Sequence, residues 1–281
     1  MNDAPMQTPA QLADTFIHAG ESKVQSPLPR FMILTMMAGA FIAIGGSSSS
    51  LACHAVANAG LAKLVSGCVF PIGLMLIVFI GGELFTGDCM MIMGMLEGRY
   101  SAAKMTARLG LVLAGNLAGA VLVAALVGAS GQWDTGSGAL GAYTIKVAYG
   151  KATISFGKAV CSGIMCNILV CAAVLMGGAA KDAAGKVLAI FFPIMAFVVG
   201  GYEHCVANMY YIPAGMLAAA HPAYAAKAAE LYGITAEGLA CLDLQHFLIG
   251  NLLPVILGNV IGGMLFISVP LLYTTKRGKQ K

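Results

Sequence analysis

Charge is scarce in this sequence. Only 10% of its 281 residues are Asp, Glu, Lys or Arg, and 59% are hydrophobic; a soluble domain carries about 25% charged residues. So little charge cannot coat a water-facing surface, so lipid must cover much of the exterior. The net charge of +4 is small and no basic stripe with interleaved aromatics is present, which leaves no case for nucleic-acid binding. No Lys or Arg precedes Lys23 and no short apolar core is found near the start, so residues 1–30 do not read as a signal peptide. The eight cysteines contain no Cys-x-x-Cys pair. Cys161, Cys166 and Cys171 are spaced by five, about 140° apart per step on a helix. They do not converge on an ion and read as small buried apolar residues; no metal or other cofactor is implied.

What the sequence does have is long apolar runs. Residues 31–62, 64–82, 109–133, 159–180, 187–202 and 244–275 contain no Asp, Glu, Lys or Arg. A helix crosses the hydrocarbon with roughly 20 apolar residues, and only helices or closed barrels satisfy their backbone there. The runs are continuous rather than alternating, which selects helices over barrel strands. Six spans are predicted, at 31–57, 65–96, 109–130, 155–177, 187–220 and 246–273. Ahead of them, Thr8-Pro9 reads as a helix start. Leu12, Ala13, Phe16 and Ile17 then share one face, predicting an amphipathic helix over 9–22 at the membrane surface.

Six spans put both termini on one side. That side carries Lys23, Arg30, Arg99, Lys104, Arg108, Lys181, Lys186, Lys276, Arg277, Lys279 and Lys281, and the other Lys63, Lys146, Lys151, Lys158 and Lys227. Positive residues collect on the cytoplasmic side, so both termini are expected in the cytoplasm of a cell that holds the protein in its inner membrane.

Spans two and five are interrupted. One break reads Gly81-Gly82-Glu83-Leu84-Phe85-Thr86-Gly87-Asp88, the other Gly200-Gly201-Tyr202-Glu203-His204-Cys205-Val206-Ala207-Asn208. Each falls in the middle span of a three-span half, and three spans per half make the second half inverted. Matching interruptions in inverted halves are the best sequence pointer to a permeation site. Gly frees backbone groups that need partners, so the break must line a cavity. The helix starts beyond the breaks present N–H groups and a positive dipole end, which favour an anion. Ionisable groups there are functional by default. His204 is read as a pore residue, Glu83 and Glu203 as supports for the loose backbone of their breaks, and Asp88 as a cap for the second half of span two. Phe70 and Leu74 fall one turn apart on one face, as Phe197 and His204 fall two turns apart on span five. Phe70-Pro71-Ile72 and Phe192-Pro193-Ile194 precede the two breaks at different distances, a match of pattern rather than of register.

Glu83-Leu84-Phe85-Thr86-Gly87, Gly201-Tyr202-Glu203-His204 and Ala207-Asn208-Met209, with Asn167 and Gly258-Asn259, together resemble the formate/nitrite transporter family over almost the whole chain. Water channels share the broken-repeat design but carry Asn-Pro-Ala at the breaks, and no proline here follows an asparagine. The resemblance implies an all-α, aquaporin-like fold of two inverted three-helix repeats, assembled as a homopentamer with a pore in each subunit. It implies a cytoplasmic segment over 1–30, a six-span channel domain over 31–273 and a basic tail over 274–281. By the same resemblance, His204 is the central pore histidine, Thr86 faces it across the pore, and Asn167 and Asn208 lie nearby. Lys151 is the vestibule lysine that draws anions inward, and Phe70, Leu74, Leu84 and Phe197 form the constrictions. Residues 84–99 would include a mobile segment at the cytoplasmic mouth.

The implied function is passage of small monovalent anions, formate first, with nitrite or hydrosulfide as alternatives. A bare anion between apolar rings bears a large desolvation cost. The histidine lessens it by giving the anion a hydrogen bond or a proton, with Thr86 and the asparagines orienting ring and anion. No covalent chemistry is implied, so an enzyme is not expected. A proton-coupled carrier is the alternative from another class, and no relay of carboxylates across the membrane speaks for it.

Overall fold

The computed structural model describes residues 6–277; Lys279 and Lys281 of the expected basic tail lie outside them. Among the described residues the fold is helical throughout, and the only strand-like pairing is an isolated bridge between Met6 and Ala180.

Six helices are long and apolar enough to cross a membrane: Leu28–Cys53, Ala59–Ile80, Ala102–Ala129, Phe156–Ala179, Ala183–Gly200 and His246–Lys276. They are numbered here as spans 1 to 6. Short polar side chains start several of them by accepting a free N–H of the first turn. Asn58 takes the Leu61 N–H at 2.9 Å, Ser101 that of Lys104 at 3.3 Å and Asp182 that of Gly185 at 2.7 Å.

Spans 2 and 5 are broken where the sequence predicts. Span 2 kinks at Phe70-Pro71, stops at Ile80 and restarts as Phe85–Asp88. A 3-10 turn, Cys89–Met91, and a short helix, Ile92–Leu96, follow. Span 5 stops at Gly200 and restarts as Cys205–Ala219. The stops are glycine stops: Gly81 has φ 109° and Gly201 φ 69°, conformations that other residues adopt only with strain.

Within each half the outer spans pack backbone to backbone. A Cβ on Gly39 of span 1 would overlap the Asn116 backbone of span 3, and one on Gly258 of span 6 would overlap the Val160 carbonyl of span 4. Close approach through small residues is how helices associate where lipid supplies no hydrophobic drive. It also carries Asn116 and Asn259 to the two breaks.

The N-terminal helix is Pro9–Gln25, opened by Thr8 and Gln11 as a reciprocal cap. Its apolar face does not spread on a membrane surface as expected. Leu12, Ala13 and Ile17 are buried on protein, with Ile17 clustered against Met90, Met93 and Leu272. The Arg108 guanidinium ties down its far end, donating to the Val24 carbonyl at 2.8 Å and the Ser26 carbonyl at 2.9 Å. On the opposite side from the termini, helices Ala139–Ala152 and Pro222–Tyr232 cover the bundle.

Candidate pore

The two restarted half-helices meet at one side-chain pair. His204 is the N-cap of the second half of span 5, and its Nδ1 accepts the Ala207 N–H at 3.1 Å. A nitrogen accepting from a backbone N–H carries a lone pair, so the ring proton sits on Nε2. Nε2 lies 3.1 Å from Thr86 Oγ1 in the first turn after the span 2 break. Both residues are buried. His204 and Phe197 are not on one continuous helical face as the spacing suggested. The turn at Gly201 ends the helix between them, and the chain folds back to bring the rings to 5.9 Å.

Asparagines hold the breaks open, and they do so in register. Asn116 Oδ1 accepts the Phe85 N–H at 3.0 Å, while its Nδ2 donates to the Thr35 and Glu83 carbonyls at 2.7 and 2.9 Å. Asn259 Oδ1 accepts the Cys205 N–H at 3.0 Å, while its Nδ2 donates to the Gly163 and Glu203 carbonyls at 2.8 and 3.0 Å. The two amides satisfy equivalent backbone groups with a constant offset of 120 residues, Glu83 to Glu203 and Phe85 to Cys205. The repeat is therefore one of register at the breaks, though not at the upstream prolines. It makes Leu84 the counterpart of His204 and Asp88 that of Asn208. Asn116 has no part in the sequence reading; its signal is an amide amid a long apolar run, expensive in lipid unless bonded.

Two of the acidic residues, Glu83 and Asp88, serve a different purpose from the one expected, while Glu203 bonds across its break to Asn208. Glu83 directs its carboxylate to Lys23 of the N-terminal helix, not to the break. Asp88 caps nothing: the half-helix begins at Phe85 with Leu84 as N-cap, and Asp88 pairs with the same Lys23. Burial alone would lower the Lys23 pKa, but attraction to Asp88 and Glu83 overrides it and holds the ammonium above its ordinary value. Across the molecule Lys151 donates to Glu203 Oε1 at 2.9 Å. Glu203 Oε2 accepts from Asn208 Nδ2 at 2.6 Å, and Asn208 also donates to Asn251 Oδ1 at 2.7 Å. Asn167 donates to the Thr86 carbonyl at 3.1 Å and the Asn259 carbonyl at 2.6 Å. Neither Asn167 nor Asn208 bonds the histidine, so they do not orient the ring as expected. Asn167 braces the backbone that carries Thr86, and Asn208 holds the carboxylate of Glu203, the residue before His204.

Three cavities run in line through this centre. The middle one is about 10 Å³, walled by Phe70, Leu74, Leu84, Phe197 and His204. That is room for one water-sized sphere. Toward the termini, Leu74 and Leu84 separate it from an inner chamber of about 170 Å³, floored by Phe16, Gly20 and Lys23 of the N-terminal helix. Away from the termini, Phe70 and Phe197 separate it from an outer chamber of about 140 Å³ that reaches Lys151. Their rings pack edge to face with centroids 5.4 Å apart. The outer chamber shares Cys53, Ser66 and Tyr143 with an open antechamber of about 560 Å³.

A six-span helical membrane protein, with two broken helices meeting at a buried histidine between apolar side chains, is of the transmembrane channel class. The chain belongs to the formate/nitrite transporter family, whose pattern it matches over residues 10–273. It is 37% identical over 287 residues to a relative named "Probable formate transporter" from Methanothermobacter thermautotrophicus, covering 95% of this chain and 97% of that one. It is 33% identical over 273 residues to the formate channel FocA of Escherichia coli, covering 95% and 94%. Among solved structures it is similar to a pentameric formate channel with formate bound, at a TM-score of 0.78 and 30% identity over 89% of this chain and 97% of that chain.

Proposed function

We propose that the protein is a formate channel of the cell membrane, with both termini in the cytoplasm and a pore in each subunit of a homopentamer. The observation that carries the pore reading is the line of three chambers through His204, closed on either side by Phe70 with Phe197 and by Leu74 with Leu84. The formate transporter and formate channel among its relatives support formate as substrate. The likeness to a pentameric formate channel supports the pentamer.

The anion enters from the antechamber, where Lys63 and Lys146 stand with no carboxylate in the lining. Neither lysine has a carboxylate partner among the described residues; Lys146 rests on the Tyr232 ring at 4.6 Å. These two charges supply the attraction. Lys151 is neutralised by Glu203, so it serves as a hydrogen-bond donor more than as a lone charge. In the central cavity the neutral imidazole offers its one N–H, shared with Thr86, to the anion. Handing over a proton instead would leave an imidazolate, or require Nδ1 to break the Ala207 cap and take a proton first. Hydrogen bonding is therefore the favoured role.

The test is an uptake panel in liposomes of formate, nitrite, hydrosulfide, acetate and lactate from pH 5 to 8. The expected result is passage of the small anions, with acetate and lactate slower, and a loss of flux in His204→Asn at every pH tested. Equal rates for all five, or an unaltered flux in the variant, would remove this pore from the mechanism. A proton-coupled carrier is the second reading, favoured by one observation: two carboxylates, Glu83 and Asp88, face one ammonium at the inner chamber. Unitary currents in planar bilayers would exclude it.

A further inference from the structure

Four serines in a row, residues 47–50, lie in the apolar span 1. Successive side chains turn by about 100°, so they cannot share one task. Ser47 donates to Gln132 Oε1 at 2.7 Å. Ser49 pairs with Ser66 of span 2 at 2.5 Å. Ser50 is 8% exposed, lines the outer chamber, and its hydroxyl has no protein partner among the described residues. The hydroxyl opens on the chamber, where water or an anion can take up its hydrogen bond. The same chamber is lined by Ser49, Ser66, Tyr143, Tyr211 and Lys151. Tyr143 meets Cys53 Sγ at 3.2 Å, and Lys151 spends one of its three N–H groups on Glu203. Ser49 is bonded to Tyr211 as well, so the unspent donors on this volume of about 140 Å³, directly outside Phe70 and Phe197, are the Ser50 hydroxyl and the two remaining N–H groups of Lys151.

We propose that the outer chamber is a stepping site for small oxyanions, in which the Ser50 hydroxyl, helped by the spare N–H groups of Lys151, replaces water before the anion passes the gate. The proposal rests on the anion-channel reading above and adds the class of anion the chamber selects. A carboxylate or nitrite presents two hard oxygen acceptors to several donors at once. Hydrosulfide presents one diffuse sulfur, a weak acceptor, and gains little from hydroxyls. The chamber therefore favours oxyanions over hydrosulfide in a pore whose apolar gates do not distinguish them.

The experiment measures initial uptake against concentration for formate, nitrite and hydrosulfide in liposomes holding wild type, Ser50→Ala or Ser50→Thr. Ser50→Ala breaks no bond within the protein, so the fold should persist. Loss of a hydrogen bond to a charged ligand predicts about a tenfold rise in half-saturation for formate and nitrite. Hydrosulfide should change less than about twofold, and Ser50→Thr, which keeps the hydroxyl, should stay near wild type. If all three anions shift together, or none shifts in Ser50→Ala, the stepping site is wrong although the channel stands. A wild type that passes none of the three overturns the channel reading itself.

Discussion

At the scale of the residue, His204 carries two duties that a substitution can separate. Its Nδ1 caps the half-helix and its Nε2 faces Thr86. Asparagine is a good N-cap and alanine a poor one, a difference of about 1 kcal/mol. His204→Asn should therefore keep the thermal unfolding midpoint in detergent close to wild type, while His204→Ala lowers it. Both should lose the imidazole-dependent flux. Equal midpoints for the two variants would deny the cap. Lys151 is instructive in the same way. Read as a vestibule charge, it is in the structure half of a pair with Glu203, and removing one member of a buried pair leaves the other uncompensated.

At the scale of the element, the breaks depend on residues from other spans. Asn116→Ala would strand the Phe85 N–H and the Glu83 carbonyl, and Asn259→Ala would strand the Cys205 N–H and the Glu203 carbonyl; the Thr35 and Gly163 carbonyls, inside spans 1 and 4, keep their helical partners. Each stranded buried group costs about 1–3 kcal/mol, so each variant should lose about 2 kcal/mol or more of stability. That loss is readable as a sharp fall in folded yield and unfolding midpoint. Because the two amides are related by the inverted repeat, the losses should be of similar size. A mild effect at either position would mean that its break is held by something else.

At the scale of the whole molecule, the proposed attraction of the anion rests on unpaired charge at the mouth. Lys63 and Lys146 border the antechamber and Lys151 is neutralised within. Replacing both Lys63 and Lys146 by Gln should slow uptake several-fold at low ionic strength and little at high, because exposed charges are screened beyond about 10 Å at 0.1 M salt. A salt-independent loss would point to a structural fault instead. The termini-side mouth is built differently: the N-terminal helix floors it and sets Lys23 against two carboxylates.

The sequence alone determined the six spans, the two breaks and the histidine at the second break. Apolar length, glycine pairs and charge-free runs are one-dimensional signals, and lipid makes them strict because unbonded backbone is so costly there. It also offered the gate residues through family resemblance. What only the tertiary structure decided is who bonds whom: Lys23 with Glu83 and Asp88, Lys151 with Glu203, Asn116 and Asn259 on the breaks, and Asn167 and Asn208 behind the pore. Those partners lie far apart along the chain for the most part and meet only after the halves pack. Spacing cannot foretell such meetings, because a glycine turn such as Gly201 sets the angle at which two half-helices arrive.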